Sequence, residues 1–167
     1  MSSDRPTIAV FDIDGVLADV RHRLHHVERS RKDWDAFFAA MADDGPLEDG
    51  INAARELAAD GHRIVYLTGR NESYRSLTTS WLTSHGLPEG RLVMRADSDR
   101  RPARQFKPAA LRRVARDGLI VTVIDDDVAV VTALRRDGWP VFHATWMDSA
   151  PEQQQTLFDA QELDGRS

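Results

Sequence analysis

Val10-Phe11-Asp12-Ile13-Asp14-Gly15-Val16-Leu17 is the stretch that decides the fold. The apolar run Ile8 to Phe11 reads as a short buried strand. It ends in two aspartates two residues apart, followed at once by a glycine. α/β sheets place their chemistry at the carboxyl ends of parallel strands, where this pair would stand. Two crowded carboxylates are costly without a cation, and a metal ion beside them would let both stay ionised at neutral pH.

Outward from this stretch the chain alternates. Five apolar, β-rich runs are predicted as strands: Thr7–Phe11, Arg63–Leu67, Arg91–Met94, Ile120–Ile124 and Val141–His143. Helical stripes lie between them. Ile51, Ala54, Leu57 and Ala58 form the first, with Gly61 as its stop, and Tyr74, Leu77, Trp81 and Leu82 the second, closed by Gly86. Pro108 to Arg116 forms the third, and Val128 to Arg136 the fourth, with Gly138 beyond it. The alternation implies βαβ units and an α/β fold: a Rossmann-like three-layer sandwich around a five-stranded parallel sheet.

One segment, about 18–45, breaks the rhythm as a small helical insertion after the first strand. It begins polar and basic, then carries Trp34, Phe37, Phe38 and Met41 at helical spacing. Those aromatics read as packing of the insertion onto the domain; the alternative is a lid that touches substrate. The expected organisation is one domain over 1–147, with a short helix (Pro151 to Ala160) and a polar tail over 148–167.

Composition narrows the function. The 167 residues suit one full-sized core. There is no cysteine, which excludes disulfides and thiolate metal sites and favours a cytoplasmic setting. No apolar stretch is long enough to span a bilayer, and none resembles a signal core. A net charge of −5 gives no global attraction to nucleic acid or anionic membrane, and nothing indicates a protein partner.

Polar groups recur at the strand ends. Asp12 and Asp14 follow the first strand, Thr68-Gly69-Arg70 the second, and Asp125-Asp126-Asp127 the fourth; Phe106-Lys107-Pro108 stands at a helix start. A parallel sheet brings these points to one edge. Together they suit phosphoryl transfer. One carboxylate can act as nucleophile, a second as acid and base, an oxygen-bound divalent ion can neutralise phosphate, and a hydroxyl, a backbone N–H and an ammonium can hold phosphate oxygens. Asp127 is expected to cap the following helix. His22, His25 and His26 could share a helix face and suggest a transition metal, but they sit among arginines with no nearby carboxylate before Glu28. Arg21, Arg23, Arg29 and Arg31 could form a basic rim.

In these residues the chain resembles the phosphatases of the haloacid dehalogenase-like superfamily. Asp12-Ile13-Asp14-Gly15, Thr68, Lys107 and Asp125-Asp126 match its four motifs in order, over residues 6 to about 146. The resemblance implies Asp12 as nucleophile and magnesium ligand, and Asp14 as general acid/base whose backbone carbonyl also binds the metal. It implies Thr68, Gly69 and Lys107 as phosphate-binding groups, and Asp125 and Asp126 as completing the metal site. The chain is also similar to the 3′-phosphatase domain of phage-type polynucleotide kinase/phosphatase. The counterparts are Arg23, Thr68-Gly69-Arg70 and Asp99-Arg100-Arg101, which implies substrate contacts by Arg23, Arg70 and Asp99. No Gly-x-x-x-x-Gly-Lys-Ser/Thr phosphate loop occurs in the 167 residues, so a free-standing phosphatase module is expected.

The expected function is thus a magnesium-dependent phosphomonoesterase with an aspartyl-phosphate intermediate, acting on a phosphorylated substrate such as a 3′-phosphate nucleic-acid end. A nucleotidase or small-metabolite phosphatase is the enzyme alternative. A receiver-like phosphoacceptor signalling module is the alternative from another class. Receivers place the adjacent acidic pair on the first strand, whereas here the pair comes last.

Overall fold

A computed structural model describes residues 4–147. In chain order it contains β1 (Thr7–Phe11), β2 (Ala18–Asp19), a 3-10 turn (Arg21–His26), α1 (Trp34–Ala39), a second 3-10 turn (Ala40–Asp43) and β3 (Gly45–Pro46). Then come α2 (Glu48–Ala59), β4 (Arg63–Asn71), a third 3-10 turn (Glu72–Tyr74), α3 (Arg75–Ser84), β5 (Gly90–Arg95), α4 (Ala103–Val114), β6 (Leu119–Asp125), α5 (Val128–Arg136) and β7 (Val141–His143).

Five strands form one parallel sheet in the order β5-β4-β1-β6-β7. The chain starts in the middle strand, builds outward to one edge, then crosses back and builds to the other. That reversal at β1 is the topological switch point, where open α/β sheets form their ligand crevice. The two-residue alternation of β1 is visible in its packing. Ala9 and Phe11 face one core with Ile51, Ala54, Trp81 and Leu82 from α2 and α3. Ile8 and Val10 face the other with Phe106, Leu111, Val130 and Leu134 from α4 and α5. The result is the three-layer, Rossmann-like α/β fold anticipated from the sequence.

Two boundaries differ from the sequence reading. Strand β4 runs on to Asn71, so Thr68-Gly69-Arg70 lies within its irregular carboxyl end, where the register with β5 shifts between Leu67 and Asn71. Helix α4 starts at Ala103, five residues before Pro108. Pro102 stands at its N-cap, and Ala103 and Phe106 are buried. Lys107 therefore lies inside the helix, one turn beyond its start. The leading turn was hidden because Arg104 and Gln105 are polar and a proline usually marks a helix start.

Segment 18–46 folds as expected of an insertion. β2 and β3 pair antiparallel at its neck, Ala18 with Pro46 and Asp19 with Gly45. Val20, Leu24, Val27, Phe37, Phe38 and Met41 form a separate small core, closed by Trp34, by Tyr74 just before α3 and by Leu77 within it. Phe37 is fully buried. The packing role of these aromatics is what the geometry shows. Gly50 lets α2 approach the loop after β1, since a Cβ there would stand 1.9 Å from the Val16 carbonyl oxygen. The expected Pro151–Ala160 helix lies outside the described residues.

Candidate active site

The β1 backbone continues straight into the site. Asp12 N–H donates to the Ile124 carbonyl (2.9 Å), which fixes Asp12 between the ends of β4 and β6. Asp12 is 2% exposed and Asp125 1%. One carboxylate oxygen from each of Asp12, Asp125 and Asp126 lies within 4.8 Å of the others. Gly15, at φ +82°, makes room for the third: a Cβ there would meet Asp126 Oδ2 at 2.1 Å.

Lys107 enters from α4. Its ammonium donates to Asp125 Oδ2 (2.6 Å) and stands 3.1 Å from Asp12 Oδ1. Even so, neither Asp12 oxygen receives a well-aligned hydrogen bond, and Asp126 Oδ1 is likewise buried without one. Burial pushes the Asp12 carboxyl up to about 7, against the pull of Lys107 and with the repulsion of Asp125 and Asp14. Burial also raises Asp126 well above the ordinary carboxylate range, with Asp12 and Asp125 adding to the rise. For Lys107, burial opposes the charge, but Asp12 and Asp125 outweigh it and hold the ammonium ionised.

Three crowded carboxylates, two of which (Asp12 and Asp126) bury oxygens without an aligned donor, fit a hard divalent cation, which takes oxygen ligands. Asp12, Asp125 and Asp126 could hold it. The Asp14 carboxylate is not in this group.

Asp14 faces the insertion instead. Its Oδ1 accepts from Arg70 Nε (3.0 Å), from Arg70 Nη2, and from Arg23 Nη2 (3.3 Å). Both guanidiniums also bind Asp44, which directly precedes β3 at the insertion's neck. Arg23 donates to Asp44 through Nε (2.7 Å) and Nη2 (3.0 Å), and Arg70 through Nη2 (3.0 Å). Asp14, Arg23, Asp44 and Arg70 are all fully buried or nearly so. Two carboxylates and two guanidiniums cancel, as burial of charge requires.

The other sequence candidates divide. Thr68 is buried at the β4 end, and its Oγ1 accepts from the Arg70 N–H (3.1 Å). The Gly69 carbonyl accepts from Arg95 Nε (3.0 Å). Arg23 and Arg70 turn to Asp14 and Asp44 rather than to an open surface. Asp99 is not gathered into the cluster. It accepts from the Arg101 backbone N–H (3.0 Å) and side chain (2.7 Å), which hold its carboxyl down at about 2. Asp127 caps α5 through the Ala129 and Val130 N–H groups, as expected. His22 approaches Asp44 (2.7 Å), while the His25 and His26 rings pack on each other; the three imidazoles do not form a metal site with one another.

Sequence reasoning missed Asp44 and Arg95. Arg95 is fully buried, stacks 4.8 Å from the Phe106 ring centre, and ties the β4 end to the Arg101 carbonyl. Asp44 carried no signal beyond being one of two acids before a Gly-Pro turn.

The family profile of the polynucleotide kinase PNKP phosphatase domain matches residues 6–148. No curated protein sequence matches. Solved structures share the fold at low identity. A chain of the Pnkp1/Rnl/Hen1 RNA repair complex is 20% identical with a TM-score of 0.72, over 86% of this chain and 44% of that one. This chain thus spans less than half of that protein's length. The class C acid phosphatase from Bacillus anthracis with tungstate bound is 17% identical with a TM-score of 0.63, over 95% and 63% of the two chains. The D,D-heptose 1.7-bisphosphate phosphatase from B. bronchiseptica, complexed with magnesium and phosphate, is 17% identical with a TM-score of 0.52, over 83% and 80%. Among the described residues no helix is long and apolar enough to cross a membrane.

Proposed function

Because this chain belongs to the polynucleotide kinase PNKP phosphatase domain family, haloacid dehalogenase-like hydrolases of phosphate monoesters, we propose that it is a magnesium-dependent 3′-phosphatase of nucleic-acid ends. The observation that carries the reading is the state of Asp12. It offers two buried oxygens without aligned donors, beside two further carboxylates and the Lys107 ammonium. A nucleophilic carboxylate needs such an undonated oxygen.

Asp12 would attack phosphorus and form an aspartyl-phosphate as the P–O bond to the leaving alcohol breaks. Asp14 would deliver the proton that alcohol needs, and then take one from the water that hydrolyses the acyl phosphate. The Thr68 hydroxyl, the Gly69 backbone N–H and Lys107 would bind the non-bridging oxygens. Magnesium held by Asp12, Asp125, Asp126 and the Asp14 carbonyl would offset the charge of phosphate, so that one anion can approach another. Phosphate itself would draw Lys107 away from Asp12.

The small size of segment 18–46 supports a bulky, end-accessible substrate, since among the described residues no large insertion follows any strand. The test is a panel of 3′-phosphorylated oligonucleotide, nucleoside monophosphates and an aryl phosphate, with EDTA and with magnesium. The oligonucleotide should be the preferred substrate, and EDTA should stop turnover. Preference for monophosphates would make the protein a nucleotidase. A stable phosphoprotein without turnover would make it a phosphoacceptor.

A further inference from the structure

We propose that His143 is a positioning residue of the cation site, holding the Asp126 main chain so that its carboxylate stands beside those of Asp12 and Asp125. The inference rests on the metal-site reading above and adds a residue outside every motif that supports it.

The acidic turn after β6 fixes two of its three aspartates by itself. Asp125 Oδ1 accepts from the Asp127 N–H (3.0 Å), and its Oδ2 accepts from Lys107 Nζ (2.6 Å). Asp127 Oδ1 accepts from the Ala129 and Val130 N–H groups at the head of α5 (2.9 and 3.3 Å). Asp126 lacks such a hold at Oδ1, which is buried without a donor. Its backbone is gripped instead: the Asp126 carbonyl accepts from His143 Nε2 (3.0 Å). A carbonyl has no proton to give, so this bond requires the proton on Nε2.

The sheet register brings His143 there. β7 pairs parallel with β6, placing Val141 opposite Val123, Phe142 opposite Ile124 and His143 opposite Asp125. The Ala144 N–H carries the ladder one step on, to the Asp125 carbonyl (2.9 Å). His143 thus ends β7 level with the last residue of β6, and its half-buried ring reaches past both strand ends to Asp126.

Three residues later the same segment holds the other wall of the slot. Trp146 Nε1 donates to the Val16 carbonyl (3.0 Å). Val16 follows Gly15, whose missing Cβ leaves room for Asp126 Oδ2. Residues 143–146 therefore grip both Asp126 and the turn against which it lies. Asp12 and Asp125 repel an ionised Asp126, so a loose backbone would let it swing away from them. Magnesium demands near-ideal octahedral geometry, and a carboxylate that drifts binds it less well. His143 is not one of the three clustered acids; it acts through the Asp126 backbone.

The magnesium dissociation constant is read, without substrate, from the rise in melting temperature of the full chain with magnesium chloride at pH 7.5. His143→Ala removes the donor and should weaken magnesium binding by about 10-fold or more, the scale on which hydrogen-bond partners of metal ligands act. His143→Gln keeps an N–H for the carbonyl and should stay within about 3-fold of wild type. An unchanged constant in His143→Ala overturns the proposal, however far the melting temperature in EDTA falls. Equal losses in His143→Ala and His143→Gln overturn it as well. Should His143→Ala fail to fold, His143→Val, which suits an edge strand and carries no donor, replaces it under the same criteria. A wild-type melting temperature indifferent to magnesium overturns the metal-site reading itself, and this inference with it.

Discussion

Gly15 and Asp126 share one space: a Cβ built on Gly15 would stand 2.1 Å from Asp126 Oδ2. The glycine is also held at φ +82°, a conformation that costs an L-residue about 1–2 kcal/mol. The turn after β1 is thus shaped so that a carboxylate from the β6 end can lie against it. Gly15→Ala should remain folded with a lower melting temperature, yet lose activity by on the order of 100-fold, because the displaced Asp126 leaves the cluster misformed. Circular dichroism melts and phosphatase assays on one preparation would show whether the activity loss exceeds what instability explains.

The proposed cation site has a thermodynamic signature that needs no substrate. Asp12, Asp125 and Asp126 repel one another when ionised, and a ligand that binds only the folded state stabilises it. Magnesium should raise the melting temperature in a concentration-dependent way, and Asp126→Asn should weaken that response. A melting temperature indifferent to magnesium would count against the cluster as a metal site.

The same crowding sets a pH dependence. The metal-free folded state holds the Asp12 proton up to about 7, whereas the unfolded chain releases it near 3.8. Between those values the folded state binds more protons, so stability falls as pH rises through the window. The EDTA-treated protein should therefore melt at lower temperature at pH 7.5 than at pH 5. Asp12→Asn should flatten that slope while abolishing hydrolysis and keeping the fold. An identical slope in wild type and variant would show that other groups carry the dependence.

These sites were unequally legible in the sequence. Asp12, Asp125, Asp126 and Lys107 were visible because each follows or lies near an apolar run, and the parallel topology brings such points together whatever their separation. The fold was legible for the same reason: β1 alternates cleanly between two cores. Asp44 was not legible, since a buried acid at an insertion's neck has no local pattern; its partners come from residues 22, 23 and 70. Asp99 stood out in the sequence through the Asp99-Arg100-Arg101 element of the family resemblance; what no motif shows is its local pair with Arg101. The early start of α4 was hidden because its first turn is stabilised by Pro102 and by the burial of Ala103 and Phe106, not by a periodic stripe.

Lys107→Met separates charge from volume. The ammonium is 2% exposed and balances Asp12 and Asp125 at once, so its removal leaves like charges buried together. Breaking a buried pair in this way costs about 3–5 kcal/mol. Without magnesium the variant should melt well below wild type; saturating magnesium should recover much of the difference, since the cation supplies the missing positive charge. Turnover should not recover, because on the proposed mechanism the ammonium also binds a phosphate oxygen. A variant that regains activity with magnesium would remove Lys107 from phosphate binding.

The insertion aromatics give the last test. Phe37 is fully buried, meets Trp34 edge-on at 5.7 Å and Phe38 at 5.3 Å, and lies under the Arg23 guanidinium. None of these contacts faces solvent, so Phe37 acts on packing rather than on a bound substrate. Phe37→Ala should cost about 3–5 kcal/mol in stability, the usual range for a buried phenylalanine. Arg23 would then lose the surface that fixes its tilt, and through it the hold on Asp14 Oδ1. The expected kinetic result is a lower kcat at nearly unchanged KM, measured well below the melting temperature. A raised KM with kcat intact would instead place this aromatic cluster against the substrate, as a lid.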